Sequence, residues 1–213
     1  MRRPIRAPAL TDARRASVLT GAWLLFSALY LAPHHLSPMA ATSLERGALD
    51  LAFPLWPWSI LIYLSQFPLL GLGLWRAEPR TRGVTLARML LAAGLASTIF
   101  VVFPTTLARA DPSGFGLWEP LWRFLFLADV PSNCLPSLHA ALALLAWPAW
   151  RHPGPDRRVL PAPLLALWLA LIFVSTLTTR QHLLLDLLAG SALAGVVALL
   201  VGGVEDGDEA AAA

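Results

Sequence analysis

Lysine is missing from this chain, cysteine occurs once, and charge of either sign is scarce. Only 14% of the 213 residues are charged, whereas 57% are hydrophobic. Soluble globular chains sit nearer about 25% and 45–50%, so an ordinary soluble domain is excluded. The single cysteine, Cys134, excludes an intrachain disulfide and a cysteine-rich metal site. All sixteen basic residues are arginine, spread between apolar stretches rather than clustered on one face. Their spacing argues against a nucleic-acid surface and for a topology signal.

What the sequence has instead is a series of long apolar runs. Six spans are legible, near 16–31, 58–75, 85–103, 137–150, 160–177 and 182–201. A membrane-crossing helix needs about 20 mostly apolar residues, and the fourth span is short for that. The expected fold is all-α: a polytopic six-transmembrane-helix bundle over 16–203, with a basic cytoplasmic arm at 1–15 and a disordered acidic tail at 204–213. Reading the first span as a cleaved signal peptide would leave five spans and disturb the charge pattern.

That pattern is one-sided. Twelve arginines fall in the N-terminal arm, the second-to-third connection with the adjoining helix start, and the fourth-to-fifth connection; Arg46, Arg109, Arg123 and Arg180 fall on the other side. The positive-inside rule then places both termini in the cytoplasm, in a multi-pass protein of the plasma membrane. "FGLWEPLWRFLFLA" (115–128) reads as an outer interfacial helix whose aromatics form an anchoring belt. "GSALAG" (190–195) offers small residues for close packing of the last helix.

"NCLPSLHAA" (133–141) opens the fourth span and "RQHLLLD" (180–186) opens the sixth. Both spans run the same way, so His139 and His182 arrive at one membrane face. His182 and Asp186 are i and i+4, stacked on one side of a helix. A carboxylate there fixes the imidazole tautomer and frees the other nitrogen as nucleophile or base. An ionised group at that depth is costly without a partner. Two helix N-termini at the same face favour an anion, and the planar fork of Arg180 suits phosphate oxygens. These features point to phosphoryl chemistry. A hydrolase triad using Ser137 is disfavoured, because Ser137 and His139 sit too close in one helix start to converge.

The two stretches resemble the motifs of the type-2 phosphatidic acid phosphatase superfamily. "PSLH" (136–139) is similar to its second motif, and "STLTTRQHLLLD" (175–186) to its third. The resemblance implies that His182 attacks phosphorus to form a phosphohistidine, that Asp186 orients it, and that His139 protonates the leaving oxygen. It also implies a phosphate contact from the Pro136–Ser137 segment. The first motif is absent; "FPTTLARADP" (103–112) lies where it belongs, with Arg109 as the stand-in cation. Thr176 holds the place of the third motif's arginine, with Arg180 as the substitute. This looser pattern is more similar to the branch of inositol phosphorylceramide synthase and sphingomyelin synthase. "ALDLAFPLWPWSILIYLSQFPLL" (48–70) resembles that branch's early D…P…P…Y arrangement, although Leu183 replaces the tyrosine common after the histidine.

The expected activity is phosphatase or headgroup-transferase chemistry on a phospholipid or polyprenyl phosphate within the bilayer, with no cofactor, no metal and no nucleic acid. Catalysis falls to His182, His139 and Asp186, and phosphate binding to Arg180, Arg109 and Ser137. A homo-oligomer is compatible with this reading. The non-enzymatic alternative is a lipid carrier or scaffold that keeps the motif. Asn133 reads as a loop terminator, His34 and His35 as interfacial, and Cys134 as a poor nucleophile. Fewer cationic clamps should hurt a monoester, at about −1.5 to −2 charge, more than a singly charged diester.

Overall fold

The computed structural model describes residues 7–129 and 131–202. Residues 1–6 of the expected arm and the whole tail at 204–213 lie outside the described residues. The structure is mostly helical. Its helices are α1 (Arg15–Leu36), α2 (Ala48–Leu51), α3 (Ile60–Leu64), α4 (Gln66–Arg76) and α5 (Pro79–Val102), followed by α6 (Glu119–Ala128), α7 (Leu138–Leu145), α8 (Trp147–Arg151), α9 (Ala162–Thr178) and α10 (Leu184–Leu200). One departure from an all-helical chain is a parallel pair, β1 (Thr42–Ser43) with β2 (Thr105–Thr106), extended by a bridge from Thr105 to Asn133. Three loops are thereby stitched into a small collar at one end of the bundle.

Among the described residues, three stretches are long and apolar enough to cross a membrane: Arg15–Leu36, Pro57–Arg76 and Pro79–Val102. Helices α9 and α10 are apolar but have 17 residues each, roughly 25 Å at about 1.5 Å per residue. The expected fourth span is two helices, α7 and α8, and the second is α3 and α4. Both breaks have the same cause. Pro68 and Pro148 cannot donate a backbone N–H, and their rings crowd the carbonyls of Leu64 and Leu144 four residues earlier. The chain therefore changes helix at Ser65 and Ala146.

The core is built where α5, α7, α9 and α10 meet, around Met89, Phe100, Leu142, Leu169 and Val197. Gly190 lets α10 lie against the start of α7; a Cβ there would collide with the Ser137 carbonyl oxygen and press on Ala140 at 3.1 Å. Close packing by the 190–195 stretch thus rests on Gly190, while Gly195 faces open space. At the arginine-rich end, the guanidinium of Arg82 is buried and donates to the carbonyls of Leu74, Ala77 and Leu10 at 3.0, 2.6 and 2.6 Å. Arg88 donates to the Val201 carbonyl at 2.8 Å, capping the C-terminal end of α10. These arginines close helix ends.

Helix α6 differs from a simple aromatic belt. Trp122 is fully buried against Ile60, Tyr63 and Leu125, and its indole N–H donates to the Pro57 carbonyl at 2.9 Å. Phe124 and Leu127 face outward. The helix is therefore fastened to α3, beside the collar.

Candidate active site

The collar end gathers the starts of α3, α7 and α10 and the ends of α1, α5 and α9. Ser137 begins α7: its hydroxyl oxygen accepts the Ala140 N–H at 3.3 Å, and its own N–H donates to the Asp186 carbonyl at 3.0 Å. The hydroxyl is fully buried as an N-cap and is not part of the cavity wall described below. Through this bond the starts of α7 and α10 are tied, which holds His139 and His182 with ring centroids 5.9 Å apart and planes at 53°.

Each histidine has an orienting partner. His182 Nδ1 faces Asp186 Oδ2 at 3.4 Å, a long contact of the kind that tightens when substrate binds. The same oxygen accepts the Leu183 N–H at 2.8 Å, while Asp186 Oδ1 is buried with no partner among the described residues. With Nδ1 turned to the carboxylate, Nε2 of His182 is left for chemistry. Tyr63 stacks on His139 at 4.1 Å, with its hydroxyl 3.4 Å from His139 Nδ1. His139 Nε2 is buried and unpartnered among the described residues.

Arg180 follows α9 in the left-handed region, at φ 54°, a conformation unfavourable for a side chain of its size. Two devices hold it. The Thr176 carbonyl accepts the N–H groups of Gln181 and His182 at 3.0 and 3.3 Å, and Arg46 donates to the Arg180 carbonyl at 2.9 Å. The Arg180 guanidinium has no hydrogen-bond or ion-pair partner among the described residues, and it lines a narrow cavity of about 20 Å³ with His182, Arg109, Asp129, Tyr30 and Tyr63. Arg46 reaches the same loop and also donates to the Ala108 carbonyl at 3.1 Å. Partial burial and the neighbouring Arg180 charge lower its pKa from the ordinary arginine value. Arg46 does not itself line the cavity; it braces the loop that carries Arg180.

Arg109 lines the cavity too, but it is engaged. It pairs with Asp129 at 2.8 Å, donates to the carbonyls of Phe126 and Asp129, and lies 4.8 Å over the Phe126 ring. Asp129 also accepts the Tyr30 hydroxyl. At the start of α10, the N–H groups of Leu183 and Leu184 are taken by Asp186 and Asp50, the latter at 2.8 Å. That helix end offers fewer free donors to an anion than its sequence suggests.

The run "STLTT" is absorbed by the fold. Thr176 donates to the Phe173 carbonyl at 2.8 Å, Thr179 to the Ser175 carbonyl at 2.7 Å, and Thr178 to the Ser59 hydroxyl at 2.9 Å. Asn133 does more than end a loop, since its side-chain amide donates to the Tyr30 carbonyl at 2.5 Å and lines the cavity. His34 contacts Ser132 at 3.2 Å. Burial, with Asp186 and Asp129 nearby, pushes the Cys134 thiol up to about 12, so it is a neutral thiol at working pH.

Tyr30, Tyr63, Asp129 and Arg46 were not legible as site residues. Tyr63 and Asp50 do fall on the D…P…P…Y stretch, the one sequence signal pointing to the α2–α3 region. A second cavity, about 510 Å³ and apolar, shares Tyr30, Tyr63 and Asp129 with the polar one and reaches His139.

A family model described as PAP2 superfamily matches residues 56–200, which is more than half of the chain. The match places the chain in a class that generally comprises phosphatases and phosphotransferases. The chain is a member of the PAP2 superfamily, and its apolar helices fit a membrane-embedded protein. No curated protein and no solved structure matches it.

Proposed function

We propose that this protein is an integral membrane enzyme that cleaves or transfers the phosphoester headgroup of a lipid through a phosphohistidine at His182. One observation carries the reading: two imidazoles, one on α7 and one in the turn before α10, meet at 5.9 Å beside a cavity lined by Arg180, whose guanidinium has no partner among the described residues. His182 Nε2 attacks phosphorus as the bond from phosphorus to the leaving oxygen breaks. His139 gives that oxygen a proton. His139 then takes a proton from water or an acceptor alcohol, whose oxygen displaces His182. Asp186 holds the His182 tautomer and stabilises its charged form. Arg180 takes the phosphate oxygens directly. Arg109 acts at longer range, its charge partly offset by Asp129, and Ser137 contributes by fixing the start of α7.

Two cations, one already paired, suit a singly charged diester as well as a monoester, so headgroup transfer proceeds at least as readily as phosphatidate hydrolysis. The D…P…P…Y region, whose Tyr63 stacks on His139, favours kinship with the inositolphosphotransferase-like branch. Residues 16–203 form one membrane domain crossing six times, with the collar on the extracytoplasmic side of the plasma membrane.

The test is turnover of a lipid panel by purified protein beside His182→Ala and His139→Ala. Loss of activity in both supports the enzyme. Turnover of no lipid, or equal turnover in wild type and variants, leaves a carrier or scaffold. For orientation, Ser113→Cys in a Cys134→Ala chain should react with an impermeant thiol reagent from outside intact cells; protection there reverses the topology.

A further inference from the structure

The apolar cavity behind His139 contains one feature that apolar packing does not account for. Gln66 is 3% exposed, its Oε1 is buried without a partner among the described residues, and its side chain lines the cavity together with His139, Tyr63 and Phe67. A buried amide oxygen left unpaired is costly. Gln66 lies three residues after Tyr63, about one helical turn or 5 Å deeper along the α3–α4 line. Beyond it the cavity abuts a second apolar one of about 400 Å³, with Trp23, Phe26, Phe67 and Leu70 common to both. The lining therefore runs from His139 and Tyr63 past the Gln66 amide to hydrocarbon-like walls.

We propose that this path seats the hydrophobic part of the substrate lipid, and that Gln66 reads an ester or amide carbonyl linkage at its head. The inference rests on the phosphoester reading of the histidine pair. With phosphorus between His139 and His182, the first carbonyl linkage of a glycerolipid or an N-acyl sphingoid lipid lies a few bonds away, at the depth of Gln66. The side-chain amide has both a donor and an acceptor to offer it. A polyprenyl phosphate has only hydrocarbon at that depth and would leave the amide unpaired. Gln66 thus selects acyl lipids over isoprenoid ones.

The experiment compares phosphatidate and phosphatidylinositol in diacyl-ester form with the dialkyl-ether forms of equal chain length, in mixed micelles, using wild type and Gln66→Leu. An N-acyl sphingoid phosphate in a parallel arm separates amide from ester linkages. Wild type should favour the carbonyl-linked lipid by about 2- to 10-fold in kcat/KM, the worth of one hydrogen bond. Gln66→Leu should bring that ratio close to one. The ratio is internal to each variant, so a partial loss of folded protein does not affect it. If Gln66→Leu fails to accumulate, Gln66→Met, closer in volume, carries the same comparison. Equal turnover of ester, amide and ether lipids by wild type, or an unchanged ratio in the variant, overturns the inference and leaves the enzyme standing. Turnover, in a further arm, of a polyprenyl phosphate but no phospholipid overturns the inference alone; turnover of no lipid of either kind overturns the enzyme reading with it.

Discussion

Replacing Asp186 by asparagine alters one buried atom and should separate orientation from packing. Asp186 is fully buried, takes the Leu183 N–H at 2.8 Å and faces His182 Nδ1 at 3.4 Å through the same oxygen. The asparagine has nearly the same volume and can keep its oxygen on Leu183, so the helix start survives. What it cannot do is stabilise an imidazolium or require a proton on Nδ1. With that oxygen held on Leu183, the same neutral oxygen still faces Nδ1, so the imidazolium formed on attack loses its counter-charge while the helix start is kept. Loss of a charge-assisted hydrogen bond is worth about 1.5–3 kcal/mol. Adding about 2 kcal/mol for the uncompensated positive charge gives a barrier higher by about 3.5–5 kcal/mol, or roughly 10³-fold in kcat. The assay is single-turnover release of headgroup from radiolabelled lipid, paired with thermal unfolding followed by tryptophan fluorescence. A fall of that order with an unchanged melting midpoint is expected. A variant within about tenfold of wild type would refute the role assigned to Asp186.

Other consequences follow from neighbouring contacts. Arg180→Ala should lower kcat/KM by about 10- to 100-fold, the worth of a charged hydrogen bond to phosphate, with Arg180→Lys only partly restoring it; steady-state kinetics on the preferred lipid checks both. Gly190→Val should destabilise the protein by about 1–3 kcal/mol, because the obstruction is the Ser137 backbone carbonyl and not a movable side chain; a lowered thermal midpoint in detergent is the readout. Cys134, with its thiol raised to about 12, should alkylate at pH 8 at least about 100-fold more slowly than an exposed thiol. Since the raised value leaves the neutral form dominant, the rate should climb about tenfold per pH unit from 7 to 10; timed maleimide labelling tests this, and fast labelling at pH 7 would contradict it.

The parts of the site legible in the sequence are those carried by local spacing. His182 stands in the turn before α10 rather than on it, which corrects the expected shared helix face, yet the four-residue spacing still brings its Nδ1 to 3.4 Å from Asp186, and the direction of the two runs brings His139 to the same end. The partners of those residues come from far along the chain. Tyr63 meets His139 across 76 positions, and Arg46 meets Arg180 across 134. Arg109 illustrates the limit: its position beside the site was readable, but its pairing with Asp129 depends on how α6 folds back. The same holds for Ser137, whose hydroxyl is used by its own helix start. In the fold, apolar runs located the helices. Pro68 and Pro148 explain why two of those runs are interrupted. The collar is not legible in the sequence because β1 and β2 have two residues each, too short for any alternating pattern.

The central claim is that phosphorus is held covalently on His182 during turnover. Rapid mixing with lipid labelled at phosphorus, quenching in alkali to preserve a phosphoramidate, and peptide mapping by mass spectrometry address it directly. The label should appear on His182 within one turnover, with the mass of the transferred group, and should be absent from His182→Ala. Label on another residue, or full turnover with His182 never modified, would contradict the account.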